Sequence, residues 1–333
     1  CFLKVLEIKP DSEHAHFNLG NTLELMGKHQ EATSYYHKTI EINPNFVKAY
    51  IHLGRILNTL GENNEAIQYI KKAISIKPNY PEAHNNLGNL LKHLGKQDEA
   101  INSYKKAIQI NPNQADAYNN LGNVFLSLKE YQKAISYYEK AIEINPNHAD
   151  AYYNLGNALS ELGEYQKAIS YYEKAIQINP NYAGAYNNNG IALKKLGEFQ
   201  KAMSCYQKAI QINPHYAVAH NNLGMLLLML SDFDKGFEYY EWRKKIFTHQ
   251  DYSEYLKLNL TSKVWNGEDL NNKTILILSE QGFGDIFEFA RYLFILKRKY
   301  ETKVIFRARK KLVHLFKKNE FEVQNFYGNK RYF

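Results

Sequence analysis

A chain of 333 residues is too long for one ordinary domain and long enough for two, unless a repeat architecture stretches one unit along it. Hydrophobic residues make up 44% of it, enough for a packed core, and no apolar run approaches the ~18 residues of a membrane span. Two cysteines, Cys1 and Cys205, exclude a disulfide framework and fit a reducing compartment, read here as the cytoplasm.

The net charge of +8 is uneven: residues 1–248 carry 26 Lys/Arg against 24 Asp/Glu, and residues 249–333 carry 16 against 10. A basic C-terminal part can meet phosphate or nucleic acid, but a solvated lysine-rich surface is the favoured reading, so nucleic acid is not an expected partner. The chain starts without Met and inside a repeat, which reads as a fragment.

Prolines set the period. Pro10, Pro44, Pro78, Pro112, Pro146, Pro180 and Pro214 follow one another at 34 residues, and only Pro81 falls outside the series. Residues 1–12 are then the tail of a repeat, 13–216 hold six full repeats, and 217–250 are a worn seventh. Each unit predicts two amphipathic helices. In 149–182 the first carries Tyr152, Leu155, Gly156 and Leu159 on one face and ends at Gly163, where a positive φ closes the turn. The second carries Ala168, Tyr172 and Ala175 and stops at Asn179-Pro180, because proline cannot continue a helix. Gly156 and Ala168 allow close approach, and Tyr172 fills a gap between units.

The pattern of aromatic, Leu-Gly, Ala, aromatic, Ala and Pro resembles the tetratricopeptide repeat (TPR) over residues 1–250. The resemblance implies an all-α right-handed superhelix, an α-solenoid stabilised by stacking of neighbours. Departures from the pattern are Asn189 before Gly190, Lys129 in place of a turn glycine, and Gly236, Trp242 and Arg243 in the last unit, which reads as a cap.

The sixth position of each first helix, expected on the concave side, holds Asn18, His52, Asn86, Asn120, Asn154, Asn188 and Asn222. One turn later come Asn21, Asn89, Asn123 and Asn157. Asparagine is a middling helix former, so propensity does not choose it here. Its amide offers a donor and an acceptor, the pair that a peptide backbone also presents. A column of amides can hold an extended polypeptide; hydrogen bonding between repeats is the competing reading. The column resembles the asparagine ladder of the O-linked N-acetylglucosamine transferase superhelix, lapsing at His52.

Beyond a linker at 251–263, residues 264–333 change character. Thr274–Ser279 and Lys303–Ala308 read as buried parallel strands, with helices at about 285–299 and 309–319, the opening of an α/β Rossmann-like domain. Trp265-Asn-Gly-Glu-Asp-Leu, Glu280-Gln-Gly-Phe-Gly-Asp285 and Phe289-Ala-Arg291-Tyr292 together resemble the heptosyltransferase-like (glycosyltransferase family 9, GT-B) proteins that carry TPR arrays. That resemblance implies Asp285 as general base, with Gly282, Gly284 and Arg291 toward a phosphate-bearing donor. Asp285 with Glu288 is equally a helix N-cap arrangement. A GT-B fold needs a second Rossmann half beyond Phe333, so a sugar-nucleotide is implied only for a longer parent chain, and this chain is expected to be inactive in sugar transfer.

His14-Ala-His16 lies on a repeat helix with His16 at the aromatic position, and no metal site or cofactor is expected. The favoured function is a protein–protein interaction scaffold with a polypeptide partner. The alternative is a heptosyltransferase-like or protein O-glycosyltransferase whose array selects the acceptor, protein or glycan, catalytic only in a longer parent chain.

Overall fold

The structure, a computed structural model, describes residues 2–246, 274–278, 303–308 and 322–325. The chain divides into two compact units, Cys1–Arg243 and Lys244–Phe333.

The first unit is an all-helical superhelix. A short helix α1 (Phe2–Ile8) precedes seven antiparallel pairs: α2 (Glu13–Leu25) with α3 (His29–Ile42), α4 (Val47–Thr59) with α5 (Asn63–Ile76), α6 (Pro81–His93) with α7 (Gln97–Ile110), and α8 (Ala115–Ser127) with α9 (Tyr131–Ile144). Then come α10 (Ala149–Glu161) with α11 (Tyr165–Ile178), α12 (Ala183–Lys195) with α13 (Phe199–Ile212), and α14 (Ala217–Met229) with α15 (Phe233–Tyr240). A single turn, α16 (Arg243–Ile246), follows. Each helix packs on its neighbours in sequence, and first helices of successive repeats also touch directly, α4 with α6 and α8 with α10 among them. The first helices therefore line the inner side.

Two local devices repeat. Turns after the first helices close on a residue at positive φ: glycine at 27, 61, 95, 163 and 197, Lys129 (φ 61°) in the fourth repeat and Ser231 (φ 66°) in the seventh. At the repeat ends Asn43, Asn111, Asn145, Asn179 and Asn213 precede the prolines in extended backbone, and each side-chain Oδ1 accepts from the N–H two residues on, at 3.0–3.1 Å. These asparagines are turn residues and belong to no binding face.

The core is a series of identical contacts. Tyr36, Tyr104, Tyr138, Tyr172 and Tyr206 are fully buried. Each ring lies on the glycine sixteen residues earlier, so closely that a Cβ at Gly156 would stand 2.6 Å from Tyr172. The tyrosine thus seals its own repeat as well as the seam between units. Ala168 and Ala175 beside it have no exposed surface.

The seventh pair is worn, as its sequence announces. The helix α15 has 8 residues where α13 has 14. The Trp242 ring stacks on His220 at 3.7 Å.

In the second unit β1 (Thr274–Leu278), β2 (Lys303–Ala308) and β3 (Glu322–Asn325) form one parallel sheet in that order, with Ile275 beside Val304 and Phe306 beside Val323. The first two strands match the sequence expectation. The third was not expected, because Glu-Val-Gln-Asn has one apolar residue and no run to mark it. The expected linker 251–263 and the helices at 285–299 and 309–319 lie outside the described residues, as do Gly282, Gly284, Asp285 and Arg291.

Candidate functional site

The inner face is built by positions six and nine of the first helices, one turn apart and so on one side. Asn18, Asn86, Asn120, Asn154, Asn188 and Asn222 are all half-buried there, as are Asn21, Asn89, Asn123 and Asn157. Neighbours within the chain fix how their amides point.

At position nine, the hydroxyls of Tyr104, Tyr138 and Tyr172 donate to Oδ1 of Asn89, Asn123 and Asn157 at 2.8–2.9 Å, and Tyr36 does the same to Asn21 at 2.7 Å. Burial pushes these tyrosines well above the ordinary phenol range, so they stay protonated and act as donors. In Asn89 and Asn123 the Nδ2 hydrogens have no partner among the described residues, and the Asn157 Nδ2 is likewise unused.

At position six the polarity reverses. Nδ2 of Asn120, Asn154 and Asn222 donates backward to Oδ1 of Asn85, Asn119 and Asn187 in the preceding repeat at 2.9–3.2 Å. Their own Oδ1 atoms remain open. Asn188 is fully engaged: Nδ2 donates to the Tyr153 hydroxyl at 3.0 Å and to Asn157 Oδ1 at 2.8 Å, while Oδ1 accepts from Asn187 at 2.9 Å. Asn86 bonds back to the Glu82 carbonyl, because Ile51 stands where an acceptor would be.

The fifth-position residues Asn85, Asn119, Asn187 and Tyr153 were not singled out from the sequence. Their signal is the Asn-Asn doublet at 85–86, 119–120 and 187–188.

Where the column lapses, a charged cluster replaces it. Glu24 at position twelve of α2 accepts from Tyr36 at 2.7 Å, from His52 Nδ1 at 3.1 Å and from Arg55 at 2.6 Å. Burial alone raises the carboxyl's pKa, but the His52 and Tyr36 hydrogen bonds and the Arg55 charge outweigh it and hold it at about 2. The cluster is self-satisfied.

An open cavity of about 460 Å³ lies between the fourth, fifth and sixth repeats, lined in part by Leu126, Asn157, Ser160, Tyr172, Asn188 and Ile191. Elsewhere His16 Nε2 bonds the Pro10 carbonyl at 2.8 Å. Burial pushes the Cys205 thiol up to about 11, which keeps it an uncharged packing group. Among the described residues no helix is long and apolar enough to cross a membrane.

Models of the tetratricopeptide (TPR) repeat match residues 14–46 and 183–216, 54–95 and 88–129, 113–181, and 35–68 and 205–238. Together they span 14–238 apart from residue 182. No curated protein sequence matches the chain. Among solved structures it is similar to a chain of the APC/C hetero-tetramer Cut9–Hcn1, at TM-score 0.62 and 20% identity over 68% of this chain and 45% of that one. This chain therefore spans less than half the length of that protein. It is also similar to pilF of Pseudomonas aeruginosa, at TM-score 0.55 and 23% identity over 62% of this chain and 94% of that one. Both likenesses show the fold alone. YrrB, described as a TPR protein with an unusual peptide-binding site, aligns at TM-score 0.43 and 26% identity over 55% of this chain and 95% of its own.

Proposed function

The chain belongs to the tetratricopeptide-repeat family, and from that premise we propose that its inner face is a protein-interaction scaffold holding an extended polypeptide by its backbone. One observation carries the reading. Tyrosine hydroxyls turn the position-nine amides so that donors face outward, and the backward bonds of position six leave acceptors open. A strand of polypeptide presents C=O and N–H groups in alternation, the complement of that arrangement. Such contacts read backbone and leave side chains to the surroundings. The cavity beside Asn157 can take one side chain from such a strand.

The geometry also decides which variants test the idea. Replacing Asn120, Asn154 and Asn188 by Ala removes four inter-repeat hydrogen bonds as well as binding groups, so stability falls with affinity. Asn89→Asp, Asn123→Asp and Asn157→Asp keep an acceptor for the tyrosine and remove the outward donor, and because each also adds a negative charge their effect is read with a peptide that carries no acidic side chain. Each lost bond costs about 0.5–1.5 kcal/mol. Peptides selected from a random library should bind the triple Asp variant at least roughly tenfold more weakly, with the melting profile preserved. Unchanged affinity would sink the reading.

We also infer that the array runs to residue 250, that 251–263 is a linker, and that 264–333 opens an α/β unit, which the parallel pairing of β1, β2 and β3 supports. Sugar transfer through Asp285 rests on the sequence resemblance alone, and no observation favours it over polypeptide binding.

A further inference from the structure

Position twelve of the first helix lies against the columns of the following repeat. Glu24 shows this by reaching His52 and Arg55, the sixth and ninth residues of the next unit. Leu126 and Ser160, at the same position, line the cavity together with Asn157 and Asn188. In the third and sixth repeats this position holds Lys92 and Lys194. Both are half-buried, and neither has a carboxylate within ion-pair distance among the described residues. Six outward lysines, Lys38, Lys96, Lys133, Lys140, Lys167 and Lys201, pair with a glutamate three residues away, and others, Lys106, Lys174 and Lys208, bond a glutamine side chain in full solvent.

An unpaired ammonium drawn partly out of water does not serve stability. Burial lowers the pKa of both groups, with Lys195 adding to the effect at Lys194. On α6 the acid at position two, Glu82, stands ten residues from Lys92, about 15 Å and too far to neutralise it, and on α12 the corresponding residue is Gly184. At the N-terminal end the same position is already filled by Glu24 and its partners, so acid selection does not extend there.

We propose that the inner face selects an extended polypeptide bearing two acidic side chains, one against Lys92 and one against Lys194, with uncharged side chains between them. This rests on the backbone-holding reading and adds which side chains it admits. The two lysines are three repeats apart. With neighbouring helices about 8–10 Å apart, that is about 25–30 Å, or about eight residues of extended chain at ~3.3 Å each. Midway, the cavity is lined by Leu126, Ser160, Tyr172 and Ile191 together with one lysine and one glutamate, Lys129 and Glu161, whose opposite charges offset each other and suit an uncharged side chain there.

Peptides selected from a random library long enough to span the groove provide the probe. The tightest binder is compared with its Asp→Asn, Glu→Gln counterpart on the intact chain and on Lys92→Met, Lys194→Met and the double variant. The acidic peptide should bind the intact chain about tenfold tighter than the neutral one, and the difference should vanish in the double variant, whose melting temperature holds or rises. Equal affinity for both peptides, or discrimination that survives Lys92→Met/Lys194→Met, overturns charge selection. If the asparagine variants abolish binding and the lysine variants do nothing, backbone holding stands and this inference falls. The reverse pattern sinks backbone holding and with it the extended-chain spacing on which the pairing of Lys92 with Lys194 rests, and a library that yields no binder overturns both.

Discussion

The sixth repeat shows what one residue contributes, because it breaks the rule its neighbours keep. Ile191 stands where four other repeats place Asn21, Asn89, Asn123 and Asn157, and the buried Tyr206 hydroxyl has no partner among the described residues. Asn189 sits where leucine packs in the other units, 5% exposed, with its Oδ1 unsatisfied. Leaving a buried polar group unpaired costs about 1–3 kcal/mol, so Asn189→Leu should raise stability by about that amount in chemical denaturation. Tyr172→Phe should lose about 0.5–1.5 kcal/mol with its bond to Asn157, while Tyr206→Phe, which removes a buried hydroxyl without a partner, should raise stability. Equal losses at the two tyrosines would contradict this reading of the hydroxyls. Glu24 is the titratable counterpart. Its carboxyl is held at about 2 in the folded chain, below the ordinary 4.5, so its stabilisation is fully present above about 4.5 and is lost as pH falls toward 2. Glu24→Gln should lower stability at neutral pH and flatten the acid limb of the stability profile in that window. An unchanged acid limb in the variant would place the effect elsewhere.

At the scale of the helix and its turn, the sequence is an accurate guide wherever spacing and sterics decide. The 34-residue proline series locates the ends of the six full repeats, and Gly163 predicts a left-handed turn that the structure shows at φ 79°. Lys129 holds that same conformation without being glycine, which strains it by about 1–2 kcal/mol. Glycine's larger unfolded-state entropy offsets part of this, so Lys129→Gly should stabilise by about 0.5–1 kcal/mol. Gly156→Ala should act in the other direction, because the new Cβ meets the Tyr172 ring at 2.6 Å and overpacking costs about 1–3 kcal/mol. Thermal melts of the two variants should shift in opposite directions. Side-chain partnering was less legible. An Asn-rich sequence does not say which amides close turns, which link repeats and which face outward, since all three use one residue type. The strand Glu322–Asn325 was hidden because it lacks an apolar run.

Across the whole array, each repeat gains its stability from its neighbours, so the ends should open first. The helix α1 has no buried residue, and Ile8 is 86% exposed. Its amides should exchange with solvent fastest among the repeat segments, and those of 115–182 slowest; slower exchange in α1 would mean that another element covers it. The array's role as a scaffold rests on the fixed polarity of its inner amides, which no single repeat could display over the length of a peptide. The side-chain amide spectrum reads this directly. On titration with a library-selected peptide, the Nδ2 resonances of Asn123 and Asn157 should shift, while those of the turn asparagines Asn111, Asn145 and Asn179 stay in place. Shifts confined to the turn asparagines or the outer helices would contradict backbone holding on the inner face.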